Sequence, residues 1–285
     1  MRYLRKIRTD LWVPEEQLHR LEEILEREGF EVSLLSEAQA AFPEEVPEGT
    51  LILTDRPDRK DAPAVLGVEH GRIHLPYRYL LSLPESFDTE GFDPEVFEAE
   101  ELERTYRRCR QIPWDISETE RCLLRETSVE DLDAFYRIYA DPEISAYMED
   151  LFPDRAEEEA YTVSYRERVY ELYGFGVWTV LLRQTGEVIG RAGISFRPGF
   201  EEPELGFLIG KKWQGQGLAL EVCREILRLS RERYGFGSVM ALVHPDNAPS
   251  AALCRKLGMR QEARIEEKNI PYDLYRYRTD AENVL

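Results

Sequence analysis

The chain has 285 residues, 42% of them hydrophobic, and a formal net charge of −19. That length suits one or two domains with a sizeable core, while the acidity argues against nucleic acid and anionic membrane as partners and suits a cationic amine or a basic protein. No apolar run is long enough for a membrane span, the basic N-terminus lacks a secretory apolar core, and Cys109, Cys122, Cys223 and Cys254 lack C-x-x-C spacing, as expected of reduced thiols in a cytoplasmic protein.

In chain order, Pro14 to Gly29 is predicted as a helix, with Leu18, Leu21 and Leu25 on one face and Gly29 as the residue just past its end. Phe30–Leu35, Leu51–Thr54 and Ala64–Val68 are predicted strands, and Tyr77–Leu83 a helix. Asp55 follows a strand but fits a turn ahead of Pro57. His70 and His74 have helical i, i+4 spacing but no third ligand near, which favours surface histidines. Phe97 to Arg110 is a charged helix with Glu100–Arg104 and Glu103–Arg107 pairs, expected to be solvated or to bridge domains. The break at Gln111-Ile-Pro-Trp marks a boundary, giving a small α/β domain over 1–115 and a second domain over 116–285.

In the second domain a strand begins at Arg121–Arg125, and Thr127-Ser-Val-Glu-Asp-Leu holds a hydroxyl cap with an acid three residues on, ahead of a helix running to Tyr139. Pro142–Met148 and Ala156–Tyr173 are predicted helices. Gly176–Leu182, Val188–Phe196 and Pro203–Ile209 form a meander, the first two joined by the turn Gln184-Thr-Gly-Glu. Leu218, Val222, Ile226 and Leu229 recur at helical spacing. Ser238–Val243 is a strand, Asn247 starts a helix ending near Gly258, and two strands around 259–267 and 270–278 close the chain.

The stretch from Glu204 to Ala219 organises this half. An apolar strand runs into a loop with Gly210, Gly215 and Gly217, and a helix follows at once. Glycines allow close backbone approach, and the free N–H groups of a helix start point toward anions, so the expected ligand carries phosphate. Gly210 and Gly215 have phosphate-loop spacing, but Gln216 and Gly217 stand where Lys and a hydroxyl residue are needed. Gly215 and Gly217 begin a dinucleotide fingerprint, but Leu220 replaces its third Gly. Lys212-Trp-Gln-Gly215-Gln-Gly217 fits a third pattern, [Q/R]-x-x-G-x-[G/A], apart from Lys in the first place. About thirty residues on, Asn247-Ala-Pro-Ser250-Ala-Ala-Leu-Cys-Arg-Lys256-Leu-Gly258-Met259 is similar to a helix pattern N-x-x-S/A…K-x-G-F.

With both blocks in order, residues of about 121–280 resemble the GNAT superfamily of N-acetyltransferases, and in particular its ribosomal-protein alanine N-acetyltransferase-like branch. The resemblance implies an α/β (α+β) fold, a mixed and mostly antiparallel sheet whose central strands, here 204–210 and 238–244, part to admit acetyl-CoA. It implies that the N–H groups of Gln214, Gly215, Gln216, Gly217 and Leu218 hold the diphosphate, that Leu208 and Ile209 hold the thioester and its oxyanion, and that Asn247 binds the amide-rich arm. Ser250 is the expected acid for the leaving thiolate. Cys254, where many relatives have Tyr, is the alternative donor. Strand alternation puts Glu204, Gly206 and Leu208 on one face and makes Glu204 the leading base, with Glu202 and Glu266 in reserve. Trp178, Phe175 and Tyr173 are candidate pocket walls, though aromatics on strands are more often core. Lys212 and Met259 are mild departures. No metal is expected, a homodimer is compatible, and the acceptor amine is left open. A noncatalytic acyl-CoA sensor and an interaction protein are the rival classes.

Overall fold

A computed structural model of the chain divides into two compact units, residues 1–114 and 115–285. It describes residues 3–9, 15–34, 48–54, 65–69, 72–76 and 99–278. The Asp55 turn, His70, the side chain of His74 and the Tyr77–Leu83 helix lie outside the described residues.

In the first unit, β1 (Lys6–Thr9), α1 (Glu15–Arg27), β2 (Glu31–Leu34), β3 (Thr50–Thr54), β4 (Val65–Glu69), β5 (Arg72–Pro76) and α2 (Ala99–Cys109) follow in order. The strands form one sheet, β2-β1-β3-β4-β5, with β5 antiparallel to β4 and every other pair parallel. Leu21 and Leu25 of α1 are buried, and Gly29 ends the helix at φ +86°. There the Phe30 N–H returns to the Leu25 carbonyl at 3.0 Å. β1, β5 and the pairing order lay outside the sequence expectations. So did the fate of the charged α2. Glu103 and Arg107 are buried rather than solvated, because the Glu103 carboxylate accepts the N–H groups of Tyr3 and Leu4 at 2.8 Å each and the Arg107 Nε at 3.1 Å. A buried charge is tolerated when it is paired and hydrogen-bonded in this way.

In the second unit, β6 (Asp115–Glu118) and β7 (Cys122–Arg125) lead into α3 (Leu132–Tyr139), α4 (Pro142–Ser145), α5 (Arg155–Tyr165) and α6 (Glu171–Tyr173). Then come β8 (Val177–Leu182), β9 (Val188–Ser195), β10 (Glu204–Ile209), α7 (Leu218–Glu232), β11 (Ser238–Val243), α8 (Ala248–Lys256), β12 (Arg260–Glu267) and β13 (Ile270–Arg278). The eight strands form one sheet, β12-β13-β11-β10-β9-β8-β7-β6, antiparallel throughout except for the central pair β10–β11. β6 lies beside the expected domain boundary and is not among the expected strands.

The hydroxyl cap ahead of α3 is Ser128, with Asp131 three residues on. Ser128 Oγ accepts from the Glu130 N–H, while Asp131 accepts the Ser128 N–H at 3.0 Å. Asp131 is the stronger partner because it also takes both Arg125 Nη atoms, at 2.8 and 2.6 Å, and the Thr179 hydroxyl at 2.8 Å. Trp178, Tyr170, Phe135 and Tyr275 are the largest fully buried side chains of this unit. Leu218, Val222, Ile226 and Leu229 are buried along one stripe of α7, as their spacing predicts.

Candidate active site

β10 and β11 meet in register at Glu204 and Met240, where the Met240 N–H donates to the Pro203 carbonyl at 3.0 Å. Their outer edges are paired along their length, β10 with β9 and β11 with β13. The inner edges therefore open as a wedge toward the C-terminal ends of both strands, the place where open α/β sheets bind ligands.

The phase of the β9–β10 ladder decides which backbone groups line this wedge. The Gly210 N–H donates to the Ile189 carbonyl at 2.8 Å, and alternate residues of an antiparallel ladder bond to the same neighbour. Gly206 and Leu208 thus turn their polar groups to β9, whereas Phe207 and Ile209 turn theirs to the opening. The expected donor pair therefore splits: the Ile209 N–H faces the wedge, and the Leu208 N–H belongs to the β9 ladder. The Ile209 carbonyl is taken by the Gln214 side-chain amide at 2.8 Å.

The glycine loop stands at the mouth of the wedge. Gly215 and Gly217 have φ of +74° and +79°, values that L side chains adopt only at a cost. Gly217 is the N-cap of α7 and offers no side chain to its first turn. Among the described residues no protein acceptor takes the N–H groups of Gly215, Gln216, Gly217 or Leu218, and residues 214–217 are exposed. The expected set loses one member here, because the Gln214 N–H is committed to the Lys211 carbonyl at 3.2 Å. The remaining donors converge on a helix start whose dipole favours negative charge.

Asn247 caps α8, its Oδ1 accepting the Ser250 N–H at 3.2 Å. The cap uses the oxygen, so the NH₂ group is the end available to a ligand. Ser250 is half-buried one turn on. Cys254 packs as a core residue: it is fully buried, and burial pushes its thiol up to about 12.

Glu204 lies at the apex of the wedge. Its carboxylate accepts from Arg197 Nη1 at 2.9 Å, and Arg197 Nη2 reaches Glu267 at 2.6 Å. Burial raises the Glu204 pKa above its ordinary value although Arg197 opposes the shift; Glu267 adds to it. Arg191, in register with Leu208, has its guanidinium 5.1 Å from the centre of the Phe135 ring on α3, so Glu204, Gly206 and Leu208 face the α3 side of the sheet. A side chain at Gly206 would meet nothing within 4 Å, so the surface beside Glu204 is open on that side. Glu202 is held by Arg276 at 2.9 Å and by the Ser238 hydroxyl at 3.0 Å. Trp178 and Phe175 are buried, and Phe175 packs in a ring cluster with Tyr173, Phe196, Tyr234 and Phe236. Trp178 and Phe175 build the core rather than a pocket wall, whereas Tyr173 is half-exposed. An aromatic contact beyond the sequence expectations joins the segment after α4 to the end of β11: Tyr147 stacks on His244 at 5.1 Å.

Residues 121–260 match the family model described as an acetyltransferase (GNAT) domain. That span takes in most of the second unit, and the unit belongs to the GNAT acetyltransferases, enzymes that move an acetyl group from acetyl-CoA. Among similar proteins is an uncharacterised N-acetyltransferase, p20, of Bacillus licheniformis, 26% identical over 151 residues covering 52% of this chain and 84% of that protein. The [ribosomal protein uS5]-alanine N-acetyltransferase of Escherichia coli is 36% identical over 78 residues, 27% of this chain and 40% of its own length. A solved putative ribosomal-protein-serine acetyltransferase of Vibrio cholerae shares the fold, with a TM-score of 0.50 at 21% identity over 58% of this chain and 97% of that one. The first unit lies outside the family match. Among the described residues no helix is long and apolar enough to cross a membrane, and no cluster of His, Cys, Asp or Glu has metal-binding form.

Proposed function

We propose that this chain acetylates a primary amine, a protein N-terminal α-amine or a small-molecule amine, by direct transfer from acetyl-CoA. The observation that carries this is the single point of pairing between β10 and β11, with a ring of unclaimed N–H groups at the mouth of the gap. An amide-rich arm can add to such an exposed edge as a strand does, and a diphosphate suits the loop. The residues present fit the group: Gly215, Gln216, Gly217 and Leu218 would hold the diphosphate, Ile209 and the Asn247 amide the arm.

When bound, acetyl-CoA supplies an activated acyl carbon and a thiolate leaving group. The rest falls to the chain. Glu204, with a raised pKa and an open surface beside it, would take the proton of the incoming amine directly or through water. A base poised nearer to neutrality is better matched to that task. Ser250 would return a proton to the leaving sulfur. The net acidity suits a cationic or basic acceptor, and the alanine of ribosomal protein uS5 named for the Escherichia coli enzyme offers one such amine. The first unit is proposed as a separate domain.

Turnover tests the proposal. Incubation with acetyl-CoA and a panel of amines and basic peptides releases free thiol and an acetylated product. Tight binding of coenzyme A without release on any acceptor would favour a sensor instead.

A further inference from the structure

We propose that Arg121 is the cation of the cofactor site: it holds the glycine loop in its donor geometry and turns its remaining N–H bonds to the diphosphate. This rests on the function proposed above. The loop carries two lysines, but both are engaged elsewhere. Lys211 pairs with Glu143 at 2.8 Å, and Lys212 pairs with Glu187 at 3.1 Å and lies over the Trp213 ring. Both line an open groove of about 670 Å³ on the α3 side, with Asp133, Asp141 and Trp213. Neither lysine is thus held against the N–H groups of the loop, and a cation beside them has to be sought on another element.

Arg121 stands just ahead of β7, far from the loop in sequence and against it in space. Its Nη1 donates to the Gln216 carbonyl at 2.9 Å, and its Nε and Nη2 reach Glu221 Oε2 at 2.7 and 2.6 Å. Glu221, in the first turn of α7, also accepts the Arg121 N–H at 2.8 Å and the Thr119 hydroxyl at 2.6 Å. The fork thus ties the carbonyl of the loop to the helix that follows it. With Gln216 C=O drawn to Arg121, the neighbouring N–H groups of the loop turn outward. A guanidinium has five N–H donors, and three are used, so two remain. The side chain is 44% exposed, and Nη2 lies 3.6 Å from where a Cβ on Gly217 would stand. The free edge of the fork is therefore beside the N-cap, where an anion would sit. Arginine suits this double duty because its planar fork binds a carboxylate and an oxyanion at once.

Binding of three ligands tests the assignment: coenzyme A, 3′-dephospho-CoA and pantetheine, which lacks phosphate, each as a competitor of acetyl-CoA and by calorimetry. In Arg121→Gln the first two weaken at least tenfold and pantetheine is unchanged within about twofold. Arg121→Lys, which keeps the charge, recovers part of the loss; its melting temperature and that of the Gln variant report folding. Unchanged affinity for coenzyme A, or an equal loss for pantetheine, overturns the proposal. A loss confined to coenzyme A moves the contact to the 3′-phosphate and overturns the diphosphate assignment. Failure of the wild type to bind coenzyme A sinks the function itself, a result distinct from any of these.

Discussion

Glu204 and Met240 are the one pair at which β10 and β11 stand in register, and the candidate functional residues of the second unit are arranged around that apex. Glu204 sits on the joined side, and the glycine loop and Asn247 sit beyond the open ends. Two parallel strands that part leave backbone donors and acceptors unpaired. The sheet tolerates this because the mouth is exposed and because Gln214 takes the Ile209 carbonyl.

Gly217→Glu abolishes cofactor binding while leaving the fold intact. The residue has φ +79° and stands 3.6 Å, measured from an added Cβ, from Arg121 Nη2, so a carboxylate there competes with phosphate for the same cation. The strain costs on the order of 1 kcal/mol, and coenzyme A affinity falls more than tenfold by calorimetry. Unchanged affinity would remove the loop from the site.

Glu204→Gln lowers kcat by roughly 10²–10⁴, the range of general base catalysis, with little change in acetyl-CoA affinity. In the wild type kcat rises with pH as Glu204 loses its proton. Burial raises its pKa, so this limb lies above the ordinary carboxylate range. A pH–rate profile that keeps the limb in the Gln variant would hand the base role to another group.

Cys254→Ala leaves turnover within about twofold and lowers the melting temperature, because the thiol is a fully buried packing group. Removing one such buried atom costs on the order of 1 kcal/mol. A large fall in kcat with stability intact would restore Cys254 as a proton donor.

Gly190→Ala destabilises the second unit. An added Cβ would lie 2.0 Å from the Leu208 carbonyl oxygen, inside the ladder that holds β10 in place. Overpacking of this kind costs typically ~1–3 kcal/mol, read as a shift in urea midpoint, and coenzyme A affinity falls with it.

Glu221→Gln destabilises the chain at neutral pH, and the difference from wild type shrinks on acidification. Burial alone would raise the Glu221 pKa, but the Thr119 hydroxyl, the Arg121 N–H and the Arg121 guanidinium together lower it. A carboxylate with a lowered folded pKa contributes stability above the ordinary value of about 4, lost as pH falls through the lowered one. Parallel melting curves across pH 3–7 would refute this.

What the sequence determined by itself was local. Helical and strand periods, the glycine pattern and the block from Asn247 to Met259 marked the elements of the second unit, their order and the glycine loop, because spacing and backbone freedom are properties of adjacent residues. Register was not local. Which of Leu208 and Ile209 faces the wedge depends on how β10 pairs with β9, and that Cys254 is core depends on what covers α8. β6 carries too few apolar residues to announce a strand, and it forms because β7 offers it an edge. The Arg121–Glu221 fork joins residues a hundred positions apart, and Arg197 joins Glu204 to a distant hairpin. Pairings of that separation leave no periodic signal, since each partner alone is an ordinary charged surface residue. The tertiary fold decided them by setting the phase of the sheet and bringing the start of β7 against the first turn of α7.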